Sequence, residues 1–251
     1  MRNWIIGAAA LVALAVPGVA VAQATGYVGL DYANADVQHN GSNDGWGASG
    51  AVAFSGSSSI SFEVDAGAFD TNHSNVGTLS TVAGHVYTRN DDYLFGGFAG
   101  YQHSDHVDAW SAGLEANKYF DNWTLAGSIV YEKSDDLKAD AWGANVEGRI
   151  FATDNLRIDV RGGYASVNPN VGSNIDVWDA GVGAEYQFAS LPVSIGARYD
   201  HLDSDKNTFN SEDVVSATIR WNWGGTLKDR DRHGASQSGL TTIGGLTGIF
   251  F

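Results

Sequence analysis

The chain contains no cysteine, three prolines, one methionine and only 14 Lys and Arg residues against 29 Asp and Glu. Without cysteine there is no disulfide framework and no thiolate-ligated zinc or iron–sulfur site. A formal net charge of −15 excludes a nucleic-acid binder, because phosphates must be met by Lys and Arg. Beyond the N-terminal segment no apolar run approaches the ~18 residues of a membrane helix, so a helical membrane protein is excluded as well. What the chain has instead is glycine, 32 of 251 residues, and aromatic side chains at 12 %. That glycine count is nearly twice the usual ~7 %. With 43 % apolar residues the chain can bury far more surface than a disordered one.

The N-terminus reads as an address. Met1-Arg2-Asn3 is a short basic start, Trp4 to Val16 is apolar, and Pro17-Gly18 break any helix. Ala20-Val21-Ala22 and Ala22-Gln23-Ala24 are small-x-small cleavage sites. Residues 1–22 are therefore expected to be a secretory signal peptide, cleaved after Ala22 or Ala24. An uncleaved anchor is the weaker alternative, since the apolar run is short for a span. Loss of Arg2 leaves 13 basic against 29 acidic residues, a net charge of −16 for the exported chain.

The rest alternates apolar with polar or small residues, the period of a strand. Trp123-Leu125-Gly127-Ile129-Tyr131 is opposed by Thr124, Ala126, Ser128, Val130 and Glu132. Twelve such runs fall at 25–33, 44–54, 59–69, 78–88, 93–102, 108–120, 122–132, 140–151, 155–165, 176–188, 191–201 and 212–223. Their connections alternate in character. Asp121-Asn122 and Thr153-Asp154-Asn155 are tight turns, whereas Asn34 to Asn43 and Leu202 to Ser211 are longer and acidic.

A repeat reinforces the pattern. Strands leaving the long loops open with Asp44-Gly45-Trp46, Asp108-Ala109-Trp110, Asp140-Ala141-Trp142 and Asp176-Val177-Trp178, whose aspartates lie 64, 32 and 36 residues apart. Strands entering those loops carry Tyr32, Tyr101, Tyr131, Tyr164 and Tyr199, each four residues before an Asp or Asn. The expected loop-end girdle is thus Tyr32, Trp46, Tyr101, Trp110, Tyr131, Trp142, Tyr164, Trp178 and Tyr199, with a second one at the turn end from Phe54, Tyr93, Phe120, Trp123, Phe151, Phe188 and Trp221. Rings at both ends of an apolar band are what two membrane–water interfaces select. Phe69 alone is out of phase with Phe62-Val64-Ala66.

With these features, residues 25–223 resemble the porin-like outer-membrane β-barrel proteins of Gram-negative bacteria, at the level of architecture rather than of a family motif. The expected fold is all-β: a transmembrane antiparallel up-and-down barrel of twelve strands within residues 23–223. Its short turns would be periplasmic and its acidic loops extracellular, and residues 224–251 would form a periplasmic tail. The resemblance implies location in the cell outer membrane and passage of small solutes. It also implies contact with outer-membrane lipid and lipopolysaccharide, and recognition of a C-terminal aromatic strand by the barrel-assembly machinery. A soluble β-sandwich or propeller also alternates, but leaves the two aromatic girdles unexplained.

If the apolar parity faces lipid, the other parity lines the lumen. It carries a basic set, Arg149, Arg157, Arg161, Arg198 and Arg220, on strands eight to twelve. Acidic residues Glu63, Asp65 and Glu115 lie opposite, and Glu147, Asp159 and Glu185 lie among the arginines. Such a lumen would form a charged constriction for small hydrophilic solutes. In the competing reading the charges pair and fill a structural or adhesive barrel. Twelve strands lie between a filled eight-stranded barrel and a wide sixteen-stranded pore. Small inward residues on strands two, three and seven would leave open volume, unless the tail occupies it.

No enzyme, cofactor or metal is expected. The chain has no Gly-x-Ser-x-Gly elbow, phosphate loop or His-Glu-x-x-His, and these are the sequence forms of common catalytic sites. His39, His73, His103, His106 and His201 fall in or beside the acidic loops. Solvated loop histidines are the simpler reading, with zinc binding or a cation-bridged rim on lipopolysaccharide as alternatives. His103-Ser104-Asp105-His106 has triad residue types, but a triad is recognised by geometry. A lipid-facing acyl hydrolase would need a mid-strand histidine, and only His85 qualifies, on a strand whose face is ambiguous.

Residues 224–251 comprise Gly224-Gly225, the charged Lys228 to His233, a small polar stretch, and an apolar end from Leu240 to Phe251. A thirteenth strand would break the even count of bacterial barrels, so the segment is read as a periplasmic tail, with docking in the lumen mouth as one option; the alternative is that 240–251 form the closing strand. The topology predicts that single cysteines at Asn40, Ser134 and Asn207 label from outside the cell, while those at Ser57 and Asn155 do not. The opposite pattern inverts the barrel.

Overall fold

Alternation at period two becomes twelve antiparallel strands in a computed structural model that describes residues 24–38, 41–55, 60–72, 78–105, 107–206 and 211–237. The expected signal peptide at 1–22, the apolar end 240–251, and His39, His73 and His106 lie outside the described residues. The first half of the chain forms β1 (Ala24–Val37), β2 (Gly41–Ser55), β3 (Ile60–Thr71), β4 (Thr78–Arg89), β5 (Tyr93–His103) and β6 (Asp108–Tyr119). The second half forms β7 (Trp123–Ser134), β8 (Ala139–Thr153), β9 (Leu156–Pro169), β10 (Ile175–Gln187), β11 (Val193–Ser204) and β12 (Glu212–Trp223). One short helix follows, α1 (Leu227–His233).

Each strand pairs with its neighbours in sequence, and β1 pairs with β12 from Gly26↔Trp223 to Val37↔Glu212, closing the ring. The strand that closes the ring is thus β12. Several strands run further toward the loops than their apolar alternation does. β2 begins at Gly41 rather than Asp44, and β9 continues to Pro169. Ladder hydrogen bonding needs no side-chain pattern, so it persists after the apolar stripe has ended.

The two faces are sharply different. Leu30, Phe62, Val64, Leu114, Ile129, Val160 and Ile219 point outward and are exposed, whereas Gln102, Asn117, Thr124 and Asn222 point inward and are buried. This inversion of the soluble pattern is that of a barrel with lipid outside and a polar interior. One aromatic ring departs from the expected girdle. Phe151 shares the parity of Glu147 and Arg149 and is buried inside. Phe69 also turns inward, its ring lying over Gly45 and Gly47 on β2, where added Cβ atoms would meet its Cε1 at 2.5 Å and its Cδ2 at 2.6 Å. The out-of-phase ring thus fills interior space that the glycines leave. Deeper in, Phe98, Val130, Ala141, Ala165 and Val167 form an apolar cluster on the inner wall between β5 and β9.

After Trp223 the chain turns back on itself through Gly224 and Gly225, at φ +98° and +110°, a region that L side chains rarely adopt. Thr226 then caps α1: its hydroxyl accepts from the Asp229 N–H, and the Asp229 carboxylate accepts from the Thr226 N–H. That reciprocal pair is a capping box. The N–H bond from Thr226 holds the Asp229 carboxyl below its usual value.

Phe98 lies opposite Gly113 across β5 and β6, and a Cβ on Gly113 would approach the ring to 2.5 Å. Gly113→Ala should lower the unfolding free energy by about 1–3 kcal/mol through overpacking. Gly84→Ala, where the added Cβ meets nothing within 4 Å, should be near neutral. Urea titration of the refolded barrel in vesicles compares the two.

Candidate functional site

The interior of the barrel holds the chemistry. Every lumen residue expected from parity lies on the inner face, but the arginines do not stand as an uncompensated wall. Arg157 reaches Asp159 at 2.7 Å and Glu185 at 3.2 Å. Glu185 also receives Arg220 at 3.1 Å, and Arg198 lies 3.5 Å from Asp159. Arg161 meets Asp200 at 2.8 Å. Arg149 is fixed between Glu147 at 2.7 Å and Asp231 of α1 at 2.9 Å. Neighbouring strands place these groups at adjacent register positions, as in Glu185↔Arg157 and Arg149↔Asp159. The result is a lattice of alternating charge, in which each guanidinium meets a carboxylate that lies within hydrogen-bonding or ion-pair reach.

The opposite wall is organised round His85. Its Nδ1 lies 2.9 Å from Glu115 Oε2 and its Nε2 lies 2.9 Å from Asp65 Oδ2. Both carboxylates accept, so the geometry uses an N–H on each ring nitrogen. The imidazole is 1 % exposed, and Phe98 packs beside it at 5.7 Å between ring centres. Glu63, two residues before Asp65, accepts backbone N–H bonds of 3.1 Å each from Ser236 and Gln237. The three acids facing the arginines are thus engaged by a histidine and by the chain's own tail.

Parity reasoning passed over Asp31, Asp179 and Asp200, though each shares the parity of inward neighbours and was within its reach. Arg89, at the end of β4, also shares the parity of His85 and Tyr87, whereas Asp231 carries no such signal because it joins the lattice from the tail. His85 resolves inward because Tyr87 and Ala83, of the same parity, are also buried. Among the described residues no group of three His, Cys, Asp or Glu side chains is placed to hold a metal ion.

A cavity of about 120 Å³ lies against β1 and β9–β12, between Asp31, Arg157, Asp159, Glu185, Arg198 and Arg220. Ala184, Gly196, Ala197 and Ser216 also line it, so the space exists because those positions are small. It has room for several waters. The side chains of Arg157, Arg161, Arg198 and Arg220 keep 16–23 % of their surface exposed, whereas those of His85 and Glu115 keep none. Strands two and seven do not leave the space expected of their small residues. Ala51 and Ala53 pack on Ala235 of the tail, and Thr124 donates to Asp231.

On the outer surface the girdle forms as cross-strand pairs. Tyr32 lies on Trp46, Tyr101 on Trp110 and Tyr131 on Trp142, with ring centres 4.7, 4.6 and 4.9 Å apart. Tyr164 and Trp178 face each other in register, and Tyr199 donates to Asp213.

No protein-family model matches the chain, and no curated protein is similar to it in sequence. Solved structures do match. The NanC porin aligns with a TM-score of 0.60 at 7 % identity, over 77 % of this chain and 98 % of its own. The COG4313 outer membrane channel from Pseudomonas putida F1 gives 0.57 at 10 %, over 83 % and 99 %. The β domain of the Bordetella autotransporter BrkA gives 0.53 at 11 %, over 80 % and 100 %. The chain has the fold of an outer-membrane β-barrel.

Replacing His85 with Ala leaves Asp65 and Glu115 buried without their shared donor, and breaking a buried charged contact costs about 3–5 kcal/mol. Denaturant unfolding of His85→Ala should show a loss of that size. A loss below ~1 kcal/mol would mean that the two carboxylates find other partners.

Proposed function

We propose that the protein is a porin-like channel passing small hydrophilic solutes through a narrow, charged lumen. The observation that carries this reading is the cavity against β1 and β9–β12, bounded by partly exposed arginines and their carboxylates. A barrel that served only as a wall would gain from apolar packing there, since buried ion pairs are seldom worth more than hydrophobic residues of equal volume. The near balance of charge round the cavity favours polar solutes over either sign of ion alone, and the low-dielectric wall strengthens the field they meet. The same proposal places the turns and the tail on the periplasmic side, with lipid and lipopolysaccharide round the girdles. β12, ending in Trp221-Asn222-Trp223, would be the strand read by the assembly machinery.

The sealed cluster of His85, Asp65 and Glu115 favours a second reading, a non-conducting structural or adhesive barrel. Planar-bilayer recording of the refolded chain separates the two. The channel reading expects discrete conductance steps, however infrequent. Arg157→Gln with Arg161→Gln should shift the reversal potential in a salt gradient toward cation selectivity. Absence of steps at every holding potential would leave the structural barrel as the account.

A further inference from the structure

The segment after β12 does more than follow the barrel. From the paired glycines it enters the turn-end mouth and touches the wall on nearly every side. The Gly225 carbonyl accepts from Gln187 on β10, and the Lys228 N–H donates to the Asp154 carbonyl between β8 and β9. Asp231 takes Thr124 of β7 at 2.6 Å and Arg149 of β8 at 2.9 Å. Arg232 donates to the Phe120 and Trp123 carbonyls and lies 4.9 Å from the Tyr119 ring centre. On the far wall Arg89 of β4 donates to the Gly234 carbonyl and the Ser236 hydroxyl at 2.9 and 3.0 Å, while Glu63 of β3 receives Ser236 and Gln237. Ala235 donates to Thr25 of β1 at 3.0 Å. In a ring of twelve, β3 and β9 are diametrically opposed, so the segment crosses the bore.

The crossing is built rather than incidental. Leu227, Arg230, Asp231 and Gln237 are all buried, and a Cβ on Gly234 would run into Thr25. Most of the polar anchors are side chains of the barrel meeting backbone or charged groups of the segment. The turn-end mouth is therefore a binding site, and its ligand is a short peptide of interleaved acids and bases joined to β12 by two residues.

We infer that residues 224–237 are a releasable stopper of the turn-end mouth, and that the lumen conducts when they leave it. This rests on the channel reading. A ligand tethered so closely has a high effective concentration, so the closed form prevails. Loss of one charge-assisted anchor should raise the open fraction about tenfold or more.

The test uses the full chain with Thr124→Cys and Asp231→Cys. No native cysteine competes, so one disulfide can form, and it locks the segment to β7. Reduction leaves a segment without its carboxylate on Arg149, which retains Glu147. In planar bilayers in KCl the oxidised form should pass no more current than wild type, and reduction should raise the mean current about tenfold. Trypsin, which cuts after Lys228, Arg230 and Arg232, should cleave the reduced form and spare the oxidised one. Arg89→Met, which loosens the β4 anchor without cysteine chemistry, should raise current in the same direction. Equal currents in oxidised, reduced and Arg89→Met proteins that do conduct would overturn the stopper and leave the channel standing. Equal cleavage of the oxidised and reduced forms would also overturn it. No current from any of the proteins, with heat-modifiable mobility showing that the barrels are folded, would remove the channel reading and the stopper with it.

Discussion

Hydrocarbon offers no hydrogen-bond partner to a peptide group, and the β1–β12 ladder is how this chain meets that constraint. A sheet left open between Ala24–Val37 and Glu212–Trp223 would expose two rows of amides and carbonyls to lipid, at several kcal/mol for each unsatisfied group. Closure removes both edges at once. It also fixes what each residue can do: one parity must be apolar because it meets acyl chains, and the other is free to carry charge because lipid never reaches it. The polar lattice, the buried histidine and the tail site are all consequences of that partition.

Inside, the same low dielectric that makes charge expensive makes pairing nearly obligatory. The chain meets this by placing opposite charges at neighbouring register positions on β8–β12, so the ladder itself sets their spacing. The His85 wall solves the problem differently, with one imidazole shared between two acids from β3 and β6. The contrast in exposure follows. The arginine side keeps contact with open volume because its floor is Ala, Gly and Ser, while Phe98 packs against the histidine.

Most of the barrel was legible from alternation and turn placement, and the inward set from Glu63 to Arg220 followed from parity alone. Parity failed where a side chain of the wrong polarity faced the wrong way. Phe69 and Phe151 are apolar residues that fill interior space, and the strand bearing His85 is blurred because Tyr87 and Leu79 share its parity. The tail was opaque for another reason. Six charged residues and one leucine in a short helix look like a solvated segment, and its partners are spread over eight strands that no local pattern connects. Only the closed ring brings Thr25, Glu63, Arg89, Arg149 and Gln187 to one rim.

That last point has a temporal side. The rim contacted by Gly224 to Gln237 combines groups from the first strand with groups from the tenth, and the turn that aims the segment inward lies directly after the last. No partial sheet offers the same set of anchors. The segment can reach its full set of contacts only after the first and last strands have met, so its complete docking is a physical record that the ring was closed.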